Sequence, residues 1–516
     1  MLSFSLLALA ATALAVPAGT GYNDGYETVA SATQPVQMRL SYQGPSAMMV
    51  SWNTFSQIQR PTVQFGLEPF VLYQSASSAD SYTYPTSLTY INHVNLTGLL
   101  PDTTYYYKIQ GDNSQTYSFR TARTAGDMDP YTVAVIVDMG TFGPLGLSTT
   151  TGVGAMNPLK PGEQTTIQSI SEQLNDFDFL VHPGDIGYAD AWLKEEIQQY
   201  LPNTTRVMNP TVYEHINNAF YDELANITAY KPYMVSPGNH EANCDNGGTT
   251  DKSTGVKYTE AICPVGQTNF TGYINRFRMP SARSGGLGNF WYSYDQGMVH
   301  FVSIDTETDL GHGLVGPDEG SPEFGGPFGL MNQQLNWLQT DLASVDRTKT
   351  PWVVVLGHRP FYNSAGGICT NCATVFEPLF YKYSVDLYFC GHSHIYNRNA
   401  PIYNNVTDPN ELNNPKATWY IVNGAAGHYD GLDTLNYPLM PYTRYAQDQA
   451  YSWSKLTFHN CTHMTQQAMY SANGTVYDEA TLFKNRTCGG SSIFPTALPY
   501  SISFPLPSLP TGVQRI

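Results

Sequence analysis

Charged side chains are scarce in this chain of 516 residues: Asp, Glu, Lys and Arg together make up 13%. That excludes a coiled coil, and an apolar share of 41% excludes a disordered chain. Basic residues are the scarcest of the charged types. Lys and Arg number 25 against 42 Asp and Glu, which leaves a net charge of −17 and a pI near 5.0. A chain this acidic repels nucleic acid and anionic membrane unless bound metal supplies a local positive centre. Long apolar runs are missing too. Beyond the N-terminus none reaches the roughly 18 residues that span a bilayer, so no membrane anchor is expected. Gly (44) and Pro (34) are too few for a collagen-like or low-complexity chain, and no internal repeat is evident. At roughly 100–200 residues per domain, the length suggests two to four domains.

Residues 1–16 contain an uncharged apolar run, Leu2–Ala15, ending in small residues, Thr12-Ala-Leu-Ala15. This reads as a secretory signal peptide cleaved near Ala15. Residues 17–34 are small and polar, a linker or pro-segment. Secretion carries two further expectations. Eight glycosylation sequons occur, at Asn95, Asn203, Asn226, Asn269, Asn405, Asn460, Asn473 and Asn485. Cysteines are few and odd in number, seven. Nearest-neighbour pairing gives Cys244–Cys263, Cys369–Cys372 and Cys461–Cys488, leaving Cys390 as a buried apolar residue. A redox pair is the rival reading of Cys369-Thr-Asn-Cys372.

Residues 35–123 read as short alternating strands: Val36–Tyr42, Ala47–Asn53, Thr62–Gly66, Leu88–Leu96, Thr104–Gln110 and Thr116–Thr121. That spacing predicts a β-sandwich. The corner at Leu96–Tyr107 resembles that of fibronectin type III domains. After Asp127-Met-Asp-Pro130 the character changes. Apolar runs Tyr131–Val137, Phe177–Val181, Tyr233–Val235, Val299–Ile304, Trp352–Leu356 and Val385–Cys390 alternate with helical periodicity at Gln164–Asn175, Ala191–Tyr200, Thr211–Ala225 and Met331–Ala343. Fully apolar strands separated by helices predict an α/β domain whose sheets are covered by helices. Residues 440–490 read as closing strands, and 491–516 as a disordered Pro- and Ser-rich tail.

Five short motifs follow these apolar runs in order. They are Asp138-Met-Gly140, Gly184-Asp185-Ile-Gly-Tyr188, Gly238-Asn239-His240-Glu241, Val355-Leu-Gly-His358 and Gly391-His392-Ser-His394. Open α/β sheets bind ligands beyond the carboxyl ends of their strands, which is where these motifs fall. An isolated Asp-x-Gly is an ordinary turn. Gly-His-x-His is sharper: at this composition chance gives about 0.02 per chain. Imidazoles and carboxylates together suit Zn, Fe or Mn. One carboxylate can bridge two ions, and Asn adds an oxygen donor without charge. A phenol ligand needs a strong Lewis acid such as Fe(III), because its ordinary pKa is about 10.

The five motifs resemble those of the metallophosphoesterase superfamily. Tyr188, three residues after Asp185 and continued as Tyr188-Ala-Asp190, resembles the purple acid phosphatases in particular. The likeness covers about 35–490. It implies a fold class of α/β with an N-terminal fibronectin type III-like β-sandwich (35–123). A βαββαβ metallophosphatase double-sheet sandwich flanked by helices follows (130–490). It implies that Asp138, Asp185, Tyr188 and His394 hold Fe(III), and that Asp185 bridges to a divalent Zn, Fe or Mn held also by Asn239, His358 and His392. His240 would serve the leaving group, and Asn239 and His240 would bind phosphate. The implied function is a secreted acid phosphatase that hydrolyses phosphate monoesters by attack of a metal-bound hydroxide. Its partners would be small phosphate esters, with neither nucleic acid nor membrane.

The sequence departs from the family pattern in three places. Val137 stands where Gly is usual, and Asn397-Arg398 where Glu-Arg is common. The loop Arg359–Cys369 lacks the histidines of many plant members. The general acid is therefore expected at His240, with His428 in Gly424-Ala-Ala-Gly-His428 as a second candidate. His182 is expected behind the ligands and His300 in the core. His93, His215, His312, His459 and His463 are expected at the surface, and Arg276 and Arg278, which could meet a phosphate, in solvated or structural roles. Two other functions stay open at this point. One is a phosphodiesterase or nucleotidase of the same superfamily. The other is a metal-binding glycoprotein without turnover.

Overall fold

The computed structural model describes residues 31–111, 115–142, 159–160, 162–197, 211–241, 263–307, 332–428 and 431–488. Cys244, Asn203, His312, the expected signal peptide and the expected C-terminal tail lie outside them.

The N-terminal strands form two antiparallel four-stranded sheets. Val36–Tyr42, Ala47–Thr54, Tyr90–Thr97 and Ser81–Tyr82 make one in that order; Gln74–Ser77, Thr62–Gly66, Thr104–Ile109 and Tyr117–Arg120 make the other. Alternation drives the pairing: in Thr104–Ile109 the residues Tyr105, Tyr107 and Ile109 are buried while their neighbours face outward. They share a core with Met48, Val50 and Trp52. The short strands Gln74–Ser77 and Ser81–Tyr82 are absent from the sequence reading, because neither carries an apolar run.

The larger domain is a sandwich of two mixed sheets. The first runs Tyr233–Ser236, Phe179–Pro183, Tyr131–Val135, Ser452–Phe458, His463–Tyr470, Val476–Phe483, its first three strands parallel. The second holds the parallel strands Val299–Ser303, Trp352–Leu356, Leu387–Cys390 and Thr418–Asn423. Antiparallel Tyr292–Gln296 and Tyr396–Tyr403 flank them. Strands such as Trp352–Leu356 are buried at every position, as a sheet covered on both faces requires. The sheets meet through aromatic side chains: Phe301 lies edge-on to Phe179 at 5.5 Å and to Phe458 at 5.9 Å. Helices occupy Thr166–Glu172, Trp192–Ile197, Thr211–Thr228 and Gln333–Ser344. The first is fixed by a reciprocal capping box between Thr165 and Gln168. Helix Thr370–Lys382 was hidden from the periodicity by Pro378 within it. Among the described residues no helix is long and apolar enough to cross a membrane.

Disulfides join Cys369 to Cys372 and Cys461 to Cys488; Cys390 is free and buried. Cys263 is disulfide-bonded. The seven sequon asparagines among the described residues, Asn95, Asn226, Asn269, Asn405, Asn460, Asn473 and Asn485, are all exposed. One surface expectation is corrected. His93 is buried, with Nδ1 2.7 Å from Ser51 Oγ and Nε2 3.0 Å from the Asn275 carbonyl. The larger domain packs over this strand and supplies that carbonyl from a residue far away in sequence. His215 is half-buried, whereas His459 and His463 are exposed.

Candidate metal centre

Each motif sits at the carboxyl end of a parallel strand, so both sheets deliver polar side chains to one edge. The turns that do this are strained. Asp138, Asp185, Tyr188 and His392 all adopt left-handed backbone, with φ of 59°, 56°, 52° and 67°. Such conformations are costly for residues with a Cβ and persist where the surroundings over-determine them, commonly at functional sites. Close approach adds a second constraint. A Cβ at Gly238 would strike Asp185 Oδ1, and one at Gly391 would strike Asp138 Oδ2.

All seven expected donors converge. Asp185, His358 and His392 present atoms within 4.8 Å of one another, and so do Asp138, Asp185 and His394; Asp185 belongs to both groups. Tyr188 Oη lies 3.3 Å from Asp138 Oδ1, 3.2 Å from Asp185 Oδ2 and 2.8 Å from His394 Nε2. Asn239 Oδ1 lies 3.0 Å from His358 Nε2 and 2.9 Å from His392 Nδ1. His358 Nε2 is 3.1 Å from Asp185 Oδ2, while its Nδ1 faces the Pro183 carbonyl at 3.3 Å.

The donor chemistry fits cations. One phenolic proton cannot serve three acceptors, yet two carboxylates and an imidazole nitrogen all point at Tyr188 Oη. A cation among them satisfies all four at once. Asp138 and Asp185 are 0% and 1% exposed. Burial, opposed by His358 but reinforced by Asp185, pushes the Asp138 carboxyl well above the usual range. Burial, aided by Asp138 and Asp185, does the same to the Tyr188 phenol. Burial would lower His358, but Asp185 overrides it and holds the imidazole at about 9. Buried negative groups crowded this closely call for positive charge from outside the chain.

A ring of partners missed by the motif reading aims these donors. Glu241, buried, accepts from the backbone N–H of Asp185 (3.0 Å), Ile186 (2.7 Å) and Gly238 (2.5 Å), tying two motifs together. His392 N–H donates to Asp138 Oδ2 at 2.6 Å, and His394 N–H to Asp433 Oδ2 at 2.8 Å. Arg359 pairs with Glu307 at 2.8 Å and reaches His392 Nε2 at 3.2 Å. His182 lies behind the ligands, its Nδ1 2.7 Å from Tyr233 Oη. Glu241 and Asp190 stand inside quoted motifs, so their presence was visible; their direction was not.

His240 stands at the mouth of this cluster with its side chain 18% exposed. Its Nδ1 is 2.6 Å from Asp190 Oδ2, and its Nε2 is 3.8 Å from Asp185 Oδ2. His428 does not stand free beside it as a second proton donor: its Nε2 is 2.6 Å from His394 Nδ1. Arg276 is buried, bonded to Gln37 and Asn218. Arg278 donates to the Ile274 and Phe277 carbonyls.

Comparison with known proteins now adds to this geometry. Residues 35–121 match the N-terminal domain of purple acid phosphatases, 131–396 match calcineurin-like phosphoesterases, and 417–479 match the C-terminal part of iron/zinc purple acid phosphatase-like proteins. The chain is 40% identical over 490 residues to acid phosphatase A of Cryphonectria parasitica, covering 90% of this chain and 94% of that protein. It is 31% identical over 578 aligned positions to an acid phosphatase of Aspergillus ficuum, covering 92% and 90%. In fold it is similar to a purple acid phosphatase from yellow lupin (Lupinus luteus) seeds, with a TM-score of 0.64 at 22% identity, covering 91% of this chain and 78% of that one.

Proposed function

The chain belongs to the purple acid phosphatases of the metallophosphoesterase superfamily, and from that premise we propose that it is a secreted, glycosylated, metal-dependent acid phosphatase acting on small phosphate monoesters. Fe(III) would be held by Asp138, Tyr188, His394 and the shared Asp185. A divalent ion (Zn, Fe or Mn) would be held by Asp185, Asn239, His358 and His392. Such a pair supplies Lewis acidity toward the phosphoryl oxygens and a nucleophile at acidic pH.

The chain's own residues then divide the remaining work. The carboxylates and the phenolate balance most of the cation charge. The pocket is left weakly positive inside an acidic protein and therefore attractive to a phosphate dianion. Asn239 and His240, adjacent at the mouth, orient the substrate oxygens. Asp190 accepts a hydrogen bond from His240 Nδ1–H and favours the imidazolium at acidic pH, so that Nε2–H, facing the cluster, can pass its proton to the departing alkoxide and leave a neutral imidazole. Asp190 is thus a positioning residue, and its short turn Ala189–Ala191 brings it there directly after Tyr188. Secretion is supported by the exposure of the described sequon asparagines and by the disulfides.

The observation that carries this reading is the pair of donor groups sharing Asp185, with a tyrosine oxygen in one of them. Hydrolysis of an aryl phosphate at acidic pH by the secreted chain, followed with metal analysis, tests it. Turnover that scales with bound metal supports a phosphatase. Full metal loading without turnover points to the binding glycoprotein.

A further inference from the structure

The two imidazoles of Gly391-His392-Ser-His394 enter the cluster through opposite nitrogens. His392 presents Nδ1, 2.9 Å from Asn239 Oδ1, and His394 presents Nε2, 2.8 Å from Tyr188 Oη. Which nitrogen a histidine offers is set by what its other nitrogen bonds. For His394 that partner is a second histidine, His428, whose Nε2 lies 2.6 Å from His394 Nδ1. The same ring lies flat on Tyr188, with centroids 4.2 Å apart and planes 9° apart. One side chain therefore braces two donors of the same group.

That ring is itself held. His428 is 3% exposed, and its carbonyl accepts from Tyr451 Oη at 3.2 Å. The loop before it is stitched to the first motif, since Gly140 N–H donates to the Gly427 carbonyl at 2.9 Å. Thr166 Oγ1 donates to the Ala426 carbonyl at 2.6 Å. Gly427 has φ +107° and lies against the Tyr451 ring, so a side chain there would be both strained and crowded.

We propose that His428 is a positioning residue for the Tyr188–His394 half of the centre. It accepts the Nδ1 proton of His394, which leaves the Nε2 lone pair for the ion. It also holds the Tyr188 ring in the orientation that brings its oxygen to the same place. The proposal rests on the dinuclear reading above. It assigns His428 to the ion rather than to the leaving group.

Two variants separate the parts. His428→Phe keeps a flat ring against Tyr188 and removes the acceptor. His428→Gln keeps an acceptor and removes the ring. Purified full-length chains are titrated with iron and zinc and followed by metal content and visible absorption. Losing such a partner typically weakens binding about 10–100-fold, so His428→Phe should hold the Tyr188-side ion that much more weakly while the other ion is retained. His428→Gln should recover most of that affinity but show a shifted tyrosine-to-iron band. Wild-type affinity and spectrum in His428→Phe would overturn the proposal. So would equal loss of both ions from both variants, which would make His428 a space-filler. A wild-type chain that takes up no metal fails earlier, at the dinuclear reading itself, and removes this proposal with it.

Discussion

Two regions of this molecule bury charge, and they do so in opposite ways. At the seam between the β-sandwich and the larger domain, Arg39 and Arg276 are enclosed with both guanidinium groups over the Tyr221 ring, at 5.2 and 4.8 Å. The charge of Arg276 is met from within the chain. Glu214 lies 3.5 Å from Arg276 and accepts from Tyr84 and Thr86 across the seam at 2.8 and 3.0 Å. At the strand ends, by contrast, Asp138, Asp185 and Tyr188 crowd together with imidazoles, His358 at 3.1 Å and His240 at 3.8 Å from Asp185, as their counter-groups. Buried charge balanced by the protein is a structural joint. Buried carboxylates gathered with imidazoles and aimed at a common point are a binding site for a cation.

Substitutions should separate the two regions cleanly. The largest effect is expected at the shared carboxylate. Asp185→Asn should lose both ions and about 10³-fold or more of the activity, while the metal-free chain stays folded; metal analysis and a melting curve check both halves. A destabilised but fully metallated enzyme would break the comparison. Glu214→Gln should do the reverse. Leaving Arg276 buried without its counter-charge should cost about 3–5 kcal/mol of stability, with metal content per folded chain unchanged. His240→Ala should retain both ions and lower kcat about 10²–10⁴-fold, less so for substrates with acidic leaving groups, which need no proton. Asp190→Asn should follow it in the same direction.

The smallest expected effect tests a third buried charge. His300 is clamped between Asp295 at 2.7 Å and Asp341 at 2.9 Å. Burial would lower it, but the two carboxylates raise it to about 9. A folded value above the ordinary 6.5 means that this clamp stabilises fully below about pH 6.5 and fades as pH rises through 9. His300→Gln should therefore lower the melting temperature by a few degrees at pH 6, and the deficit should shrink by pH 10. A deficit that is the same at both values would show packing rather than charge.

Much of the site was legible because each donor follows an apolar run, and the end of a run is visible in one dimension. Asp138, Asp185, His358 and His392 each close such a stretch. The partners that aim them were not legible. Glu307 meets Arg359 across 52 residues, and Asp433 meets His394 across 39. Nothing in a polar residue's immediate neighbours tells which way it points. His93 was misplaced for the same reason, since its covering carbonyl comes from 182 residues away. His428 carried a visible signal, Gly-Ala-Ala-Gly-His, but the sequence could not show that its ring lies flat on Tyr188 with Nε2 2.6 Å from His394 Nδ1.

The most direct test is the metal content and visible spectrum of the purified protein beside its Tyr188→Phe variant. The account gives two ions per chain, one of them iron, and a tyrosine-to-iron absorption that the substitution removes. A colourless, iron-free protein with full phosphatase activity would contradict it.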